Sequence, residues 1–130
     1  MARVLALVPD LLFGSRVQGD LVAAGHDVEL IGDEQRLRER LSDAAAPGAA
    51  VLVVDLTDAG FDGAGIVESL SRDGELRATR TLAFYSHVEP AVRDAAQRAG
   101  FDVVVPRSRM AREGAQLVER LAAGDPPGPD

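Results

Sequence analysis

The sequence contains no cysteine, and its fourteen basic residues are all arginine, so it contains no lysine either. The lack of cysteine excludes disulfides, zinc-thiolate sites and cysteine nucleophiles. The lack of lysine excludes any chemistry that requires an ammonium side chain. Long apolar runs are also missing, since the longest ones, such as residues 49–54, have only the length of a strand. Such runs are too short to cross a bilayer.

The net charge is −7 at pH 7. This balance argues against a nucleic-acid or anionic-membrane partner, because phosphate binding requires clustered cations. Residues 1–8 pass directly into a strand-like run, which leaves no room for a signal peptide and predicts a cytoplasmic protein. A chain of 130 residues is long enough for one domain with one core.

Short apolar runs alternate regularly with amphipathic segments along the chain. The predicted strands are 3–8, 27–31, 49–55, 80–85 and 101–105, and the predicted helices are 11–24, 34–46, 63–73, 89–99 and 108–123. Strict alternation requires parallel strands joined by crossovers, so the sequence predicts a doubly wound α/β domain over residues 1–123. Residues 124–130 are rich in proline and glycine and are predicted to form a disordered tail.

Some positions carry more specific predictions. The first helix is expected to bury Phe13, Val17, Leu21 and Val22 and to end at Gly25. His26 is expected to lie in a solvated turn. Ser108 is expected to cap the last helix.

Polar residues follow several of the predicted strands. In an open parallel sheet, sites form beyond the carboxyl ends of the strands. Five residues other than Asp55 are therefore expected to converge with it there, namely Asp10, Asp58, Ser86, His87 and Arg107. Arg107, Arg109 and Arg112 also form a small basic cluster, which neighbouring aspartates are expected to neutralise.

One of these segments carries a family resemblance. Residues 55–63, DLTDAGFDG, resemble the motif D-L-x-L-P-G-M-D-G of bacterial response-regulator receiver domains, and the spacing is kept as far as Arg107. The resemblance implies a flavodoxin-like fold with strand order 2-1-3-4-5 and a role in two-component signalling or phosphorelays. It places Asp55 at the phosphoacceptor position, Ser86 at the Ser/Thr position and Arg107 at the position of an invariant lysine.

The departures from this pattern concern phosphorylation. Receivers hold Mg²⁺ with two acidic residues after the first strand, where this sequence has Val8 and Pro9, or Pro9 and Asp10 if the first helix is one residue shorter. At most Asp10 and Asp55 remain to bind a metal, so no metal or cofactor is expected. Arg107 is predicted to pair with Asp55, and in addition with Asp10 or Asp58, in place of the ion.

The read-out side chain of receivers is also absent. Val104 stands where receivers have Tyr or Phe on the fifth strand, and Tyr85 is a conceivable replacement.

These observations predict a non-enzymatic, phosphorylation-independent signalling module of the receiver type. It would act on another signalling protein, or on a second copy of itself as a homodimer, through residues 89–123, since no output domain follows Ala123. Two alternatives stay open. Asp55 and Asp10 would hold Mg²⁺ in a working phosphoacceptor, or Arg107 and Ser86 would bind an anion or small molecule.

Overall fold

The computed structural model describes residues 2–43, 48–58, 60–76, 78–86 and 89–124. Five strands alternate with five helices: β1 (Arg3–Leu7), α1 (Leu11–Ala23), β2 (Asp27–Ile31), α2 (Glu34–Leu41), β3 (Val51–Asp55), α3 (Gly63–Arg72), β4 (Arg80–Tyr85), α4 (Pro90–Ala99), β5 (Val103–Pro106) and α5 (Arg107–Ala122). The sheet order is β2-β1-β3-β4-β5, with every neighbouring pair parallel. The predicted fold class and strand order are confirmed.

The sheet has a separate apolar core on each face. Side chains alternate between the two faces along a strand, so Val4 and Ala6 of β1 point to one core while Leu5 and Leu7 point to the other. The first core is closed by α1 and α5, and the second by α2, α3 and α4. Strand β3, at the centre of the sheet, is buried over its whole length, as its apolar sequence predicts.

Two predicted boundaries near the last strand are wrong. Helix α5 begins at Arg107, and Ser108 does not cap it, because Pro106 already holds the preceding extended conformation with φ −64°. Strand β5 begins at Val103, two residues later than predicted. The reason is that Asp102 bonds to Thr81 through both its side chain and its backbone.

Two side chains of the α1 region also differ from expectation. Phe13, Val17 and Leu21 are buried as predicted, but Val22 is 51% exposed. His26, expected in solvent, is only 7% exposed. After Gly25, whose φ is +96°, the chain returns so that His26 Nδ1 accepts a hydrogen bond from the Ala2 N–H at 3.2 Å.

Two features of the sequence predictions concern the ends of elements. Helix α2 ends at Leu41 instead of residue 46, and residues 44–47 lie outside the described ranges. The predicted disordered tail also lies outside them, apart from Gly124. Among the helices described, none has the length and apolar character needed to cross a membrane.

Candidate functional site

The carboxyl edge of the sheet brings several of the predicted site residues together. Asp55, the last residue of β3, is in register with Phe84 of β4. Tyr85 pairs with Pro106, so Ser86 and Arg107 leave their strands at the same level. Asp10 follows β1 on the other side of β3.

Asp55 is the most buried of the polar residues at this edge. It is 1% exposed, and its Oδ1 accepts hydrogen bonds from the Thr57 backbone N–H at 2.6 Å and from the Thr57 hydroxyl at 2.5 Å. Its Oδ2 is buried and has no hydrogen-bond partner within the described residues. Within the described residues, the carboxylate of Asp55 is therefore contacted by one neighbour two positions away and by no cation.

Thr57 was not among the predicted site residues. The signal for it was local: a hydroxyl residue two positions after an aspartate suits a turn in which both groups bond to nearby backbone. Thr57 is half-buried, and both its N–H and its hydroxyl donate to Oδ1 of Asp55.

Asp10 has a structural role at the start of α1. Its Oδ1 accepts hydrogen bonds from the backbone N–H groups of Leu12 at 3.0 Å and Phe13 at 3.2 Å, so it is the N-cap of the helix. Its Oδ2 lies 3.9 Å from Arg107 Nη2. Both carboxylate oxygens of Asp10 thus have an interaction within the fold.

Arg107 is directed toward α1. Its guanidinium carbon lies 4.0 Å from the ring centroid of Phe13, and that ring packs against Phe84 with 5.1 Å between centroids. The predicted ion pair of Arg107 with Asp10 is present, whereas in the described part of the chain none is formed with Asp55 or Asp58. Stacking on Phe13, which sequence reasoning missed, explains this direction.

The loop after β3 is organised by its own aspartates. Asp58 Oδ1 accepts from the Gly60 N–H at 2.8 Å, and Asp62 caps α3 through the Gly65 N–H at 2.9 Å. Glycine is required at position 63, because a Cβ there would lie 2.6 Å from Val54 Cγ1 and 2.9 Å from the Asp55 carbonyl oxygen. The DG pair therefore lets α3 start directly against β3.

The remaining predicted residues make fewer contacts. Ser86 is exposed directly after β4, and Tyr85 is half-buried. His87 lies outside the described residues. In the basic cluster, Arg109 pairs with Glu113 at 3.4 Å, and Arg112 Nε donates to the Ser108 carbonyl at 3.4 Å.

Solved structures provide the comparison with known proteins. The Francisella response regulator 1452 receiver domain has a TM-score of 0.76 at 16% identity and covers 95% of this chain and 98% of that one. The signal receiver domain of a protein assigned as the response regulator NarL, from Mycobacterium tuberculosis, has a TM-score of 0.75 at 25% identity and covers 95% and 97%. This chain has the receiver fold.

A third neighbour of the same fold is in a different chemical state. It is a response regulator from Burkholderia pseudomallei with a phosphorylated aspartic acid, calcium ion and citrate, with a TM-score of 0.75, 14% identity, and coverage of 95% of this chain and 70% of that one. No protein-family model matches the chain, and no curated protein matches its sequence. The chain is thus a divergent example of the receiver fold.

The receiver fold implies a Mg²⁺ ion next to Asp55, and the residues present do not fit it. The unpartnered Oδ2 of Asp55 is one free oxygen, but the second carboxylate, Asp10, caps α1 and faces the Arg107 guanidinium. No group of three acidic, histidine or cysteine side chains able to hold a metal occurs among the described residues. Mg²⁺ needs an octahedral set of oxygen ligands, which one carboxylate oxygen does not supply.

Proposed function

We propose that this chain is a receiver-fold signalling module that acts by binding another protein and does not take a phosphoryl group on Asp55. One observation carries the proposal: Asp55 is buried against Thr57, while Asp10 and Arg107 interact with each other and with α1. The side chains that would have to assist phosphoryl transfer are committed to holding the fold.

The physical reason is the charge that develops during transfer. A phosphoryl group moving to a carboxylate needs a cation to neutralise its oxygens, and this is the largest part of the catalysis. The Arg107 guanidinium is the cation at this edge, and it is stacked on Phe13 at 4.0 Å. Moving it to Asp55 would break that contact and leave Asp10 Oδ2 without a cation.

The resemblance to receivers suggests where the partner binds. The proposed face is formed by α4, β5 and α5, within residues 89–123. Val103 and Val104 of β5 are half-buried at the sheet edge, and α4 presents exposed charges of both signs, Arg93, Asp94 and Arg98. An apolar centre with a charged rim is the usual composition of a protein interface.

A location in the cytoplasm and the exclusion of nucleic acid and membrane belong to the same proposal. The exclusion of nucleic acid and membrane is supported by the net charge of −7. Anionic polymers and surfaces would repel such a chain.

A working phosphoacceptor is the second candidate, and one observation favours it. Asp55 Oδ2 is buried without a hydrogen-bond partner among the described residues, as expected of an oxygen that accepts a ligand. The neighbour with a phosphorylated aspartic acid has the same fold.

A labelling experiment separates the two candidates. The protein is incubated with acetyl phosphate and Mg²⁺ and examined by intact mass spectrometry for a gain of about 80 Da per phosphoryl group. An active receiver treated in parallel shows that the donor works. We expect no gain for the wild type, and a gain that disappears in Asp55→Asn would establish the second candidate instead.

A gain-of-function variant tests the physical reason. Pro9→Asp with Arg107→Lys restores one acid and a compact cation at this edge. If the missing charges are the cause, this variant is labelled with Mg²⁺ present, and adding Asp55→Asn to it abolishes the labelling. Failure of a folded double variant to react would mean that the block lies elsewhere, for example at Thr57.

A further inference from the structure

Helices α1 and α5 cover the same face of the sheet and leave an open cleft between them. The cleft has a volume of about 220 Å³ and is lined by residues of both helices. Its inner part is apolar, since Val17, Leu21 and Met110 line it and are buried in the core. This volume is below the roughly 300–1,000 Å³ of sites for drug-sized ligands. The cleft therefore suits a small molecule with an apolar body.

The side of the cleft formed by α5 carries small residues. Ala111, Gly114 and Ala115 all line the cleft. At position 114 an added Cβ would lie 3.0 Å from Met110 Cε and 3.2 Å from its sulfur, so the end of the Met110 side chain lies close against the helix. The open volume between the two helices thus results from short side chains on α5 and from the path of Met110.

Two opposite charges lie at this cleft. Asp20 of α1 and Arg112 of α5 both line it, and both are exposed. In the part of the chain that the structure describes, the Asp20 carboxylate has neither a hydrogen bond nor an ion pair. The Arg112 guanidinium makes one long contact there, from Nε to the Ser108 carbonyl oxygen at 3.4 Å. A carboxylate and a guanidinium are therefore both available to a molecule in the cleft.

The pair of charges selects the chemistry of the ligand. Asp20 would repel a simple anion, and Arg112 would repel a simple cation. A free α-amino acid carries both charges, because its ammonium group suits a carboxylate and its carboxylate suits the planar guanidinium. An apolar side chain on that amino acid would enter the inner part of the cleft and leave water.

We propose that the cleft between α1 and α5 binds a free α-amino acid with an apolar side chain. The inference goes beyond the proposed function and does not depend on it, since Asp10, Asp55 and Arg107 do not line the cleft. Water screens both exposed charges, so we expect weak binding with a dissociation constant of roughly 0.1–1 mM. The ligand would contact α5, which is also one helix of the proposed partner face.

A titration of isotope-labelled protein with L-leucine, followed by two-dimensional NMR of the backbone amides, measures the binding. We expect saturable shifts in residues 17–21 and 110–115. Glycine has the same two charges and no side chain, so it should bind at least about tenfold more weakly. The proposal is wrong if leucine gives no saturable shift up to about 20 mM, if the shifts are confined to other segments, or if glycine binds equally well.

Two analogues of leucine test the need for both charges. Isocaproate lacks the ammonium group and isoamylamine lacks the carboxylate, while both keep the apolar chain. Each should bind at least about threefold more weakly than leucine, because each loses one ion pair and meets one like charge. Binding of either analogue as tight as that of leucine would contradict recognition of a doubly charged ligand.

Charge variants assign the recognition to particular residues. Asp20→Asn and Arg112→Gln each remove one charge at an exposed position, so the fold is retained, and the dissociation constant for leucine should rise about fivefold. Arg16→Gln is the matched control, because Arg16 is an exposed arginine of α1 outside the cleft, and it should leave the constant unchanged. If Arg16→Gln weakens binding as much as Arg112→Gln, the net charge of the protein and not the cleft is responsible.

A variant that fills the cleft tests the location of the ligand. Ala111 is half-buried and lines the cleft, so Ala111→Leu places a larger apolar side chain in the open volume. This variant should abolish leucine binding without lowering the unfolding temperature, because leucine favours a helix and fills apolar space. A folded Ala111→Leu protein that binds leucine with the wild-type constant would place the ligand elsewhere and overturn the proposal.

Discussion

The two ends of the sheet use carboxylates in different ways, since Asp55 is buried and Asp102 is half-buried. At the amino end, Asp102 accepts hydrogen bonds from the backbone N–H of Thr81 at 2.8 Å and from its hydroxyl at 3.2 Å, across 21 residues of sequence. At the carboxyl end, Asp55 bonds to Thr57, two residues away, and to no other described residue. Both pairs consist of an aspartate and a threonine. Only the Asp102–Thr81 pair joins residues that are distant in the sequence.

This difference separates a carboxylate that joins two parts of the sheet from one that bonds only within its own turn. The Asp102–Thr81 pair joins β4 to the residue that precedes β5. Loss of the Asp102 side chain would therefore remove hydrogen bonds that hold these two parts of the sheet together. The Asp55–Thr57 pair closes a turn. The other carboxylate oxygen, Asp55 Oδ2, is buried and has no hydrogen-bond partner in the part of the chain described. A group that leaves a hydrogen bond unmade costs stability, and proteins retain such groups mainly where they have another use.

The largest expected effect is at the amino end. Asp102→Ala should lower the free energy of unfolding by about 2–3 kcal/mol, because the N–H of Thr81, a residue only 4% exposed, loses its acceptor. Denaturant unfolding followed by circular dichroism measures this. Asp102→Asn, which keeps an acceptor oxygen, is the control and should recover more than half of the loss. A loss below about 0.5 kcal/mol for the alanine variant would mean that the two ends do not differ in this way.

At the carboxyl end the expected sign is reversed. Asp55→Asn should raise the free energy of unfolding by about 1 kcal/mol at neutral pH, because it keeps an acceptor for Thr57 and removes a buried carboxylate that no cation among the described residues contacts. The same unfolding experiment applies. A destabilisation comparable to that of Asp102→Ala would show that Asp55 supports the fold as a structural residue.

The sequence predicted the architecture because the architecture depends on periodicity. Runs such as residues 49–55 are apolar without alternation, which predicts a strand buried on both faces, and β3 lies in the middle of the sheet. Alternation of such runs with helices allows few topologies. The convergence of Asp10, Asp55 and Arg107 on one edge follows from the topology alone.

The contacts within the site depend on distances that periodicity does not contain. Pairing of Arg107 with Asp55 was expected from charge, but the guanidinium stacks on the ring of Phe13 and lies 3.9 Å from Asp10 Oδ2. His26 was expected in solvent because it follows a turn. Its Nδ1 instead accepts a hydrogen bond from the Ala2 N–H, where the chain approaches β1 and β2. Val22 fits the inner stripe of α1 in spacing, yet the helix is rotated so that Leu21 alone faces the core there.

The smallest expected effect concerns Asp10, which lies at the carboxyl end but has a structural role. Asp10→Ala should lower the free energy of unfolding by about 1 kcal/mol, because the N–H groups of Leu12 and Phe13 lose their cap. Asp10→Asn retains the capping oxygen but loses the half-exposed contact with Arg107 at 3.9 Å and the negative charge at the start of α1, so it should cost a few tenths of a kcal/mol. Thermal unfolding at low and high salt distinguishes the two contributions, since salt screens the charge interactions and not the capping hydrogen bonds. If the two variants lose equal free energy of unfolding, the contribution of Asp10 comes from its charge. The charges of both Asp10 and Asp55 would then affect stability at the carboxyl end of the sheet.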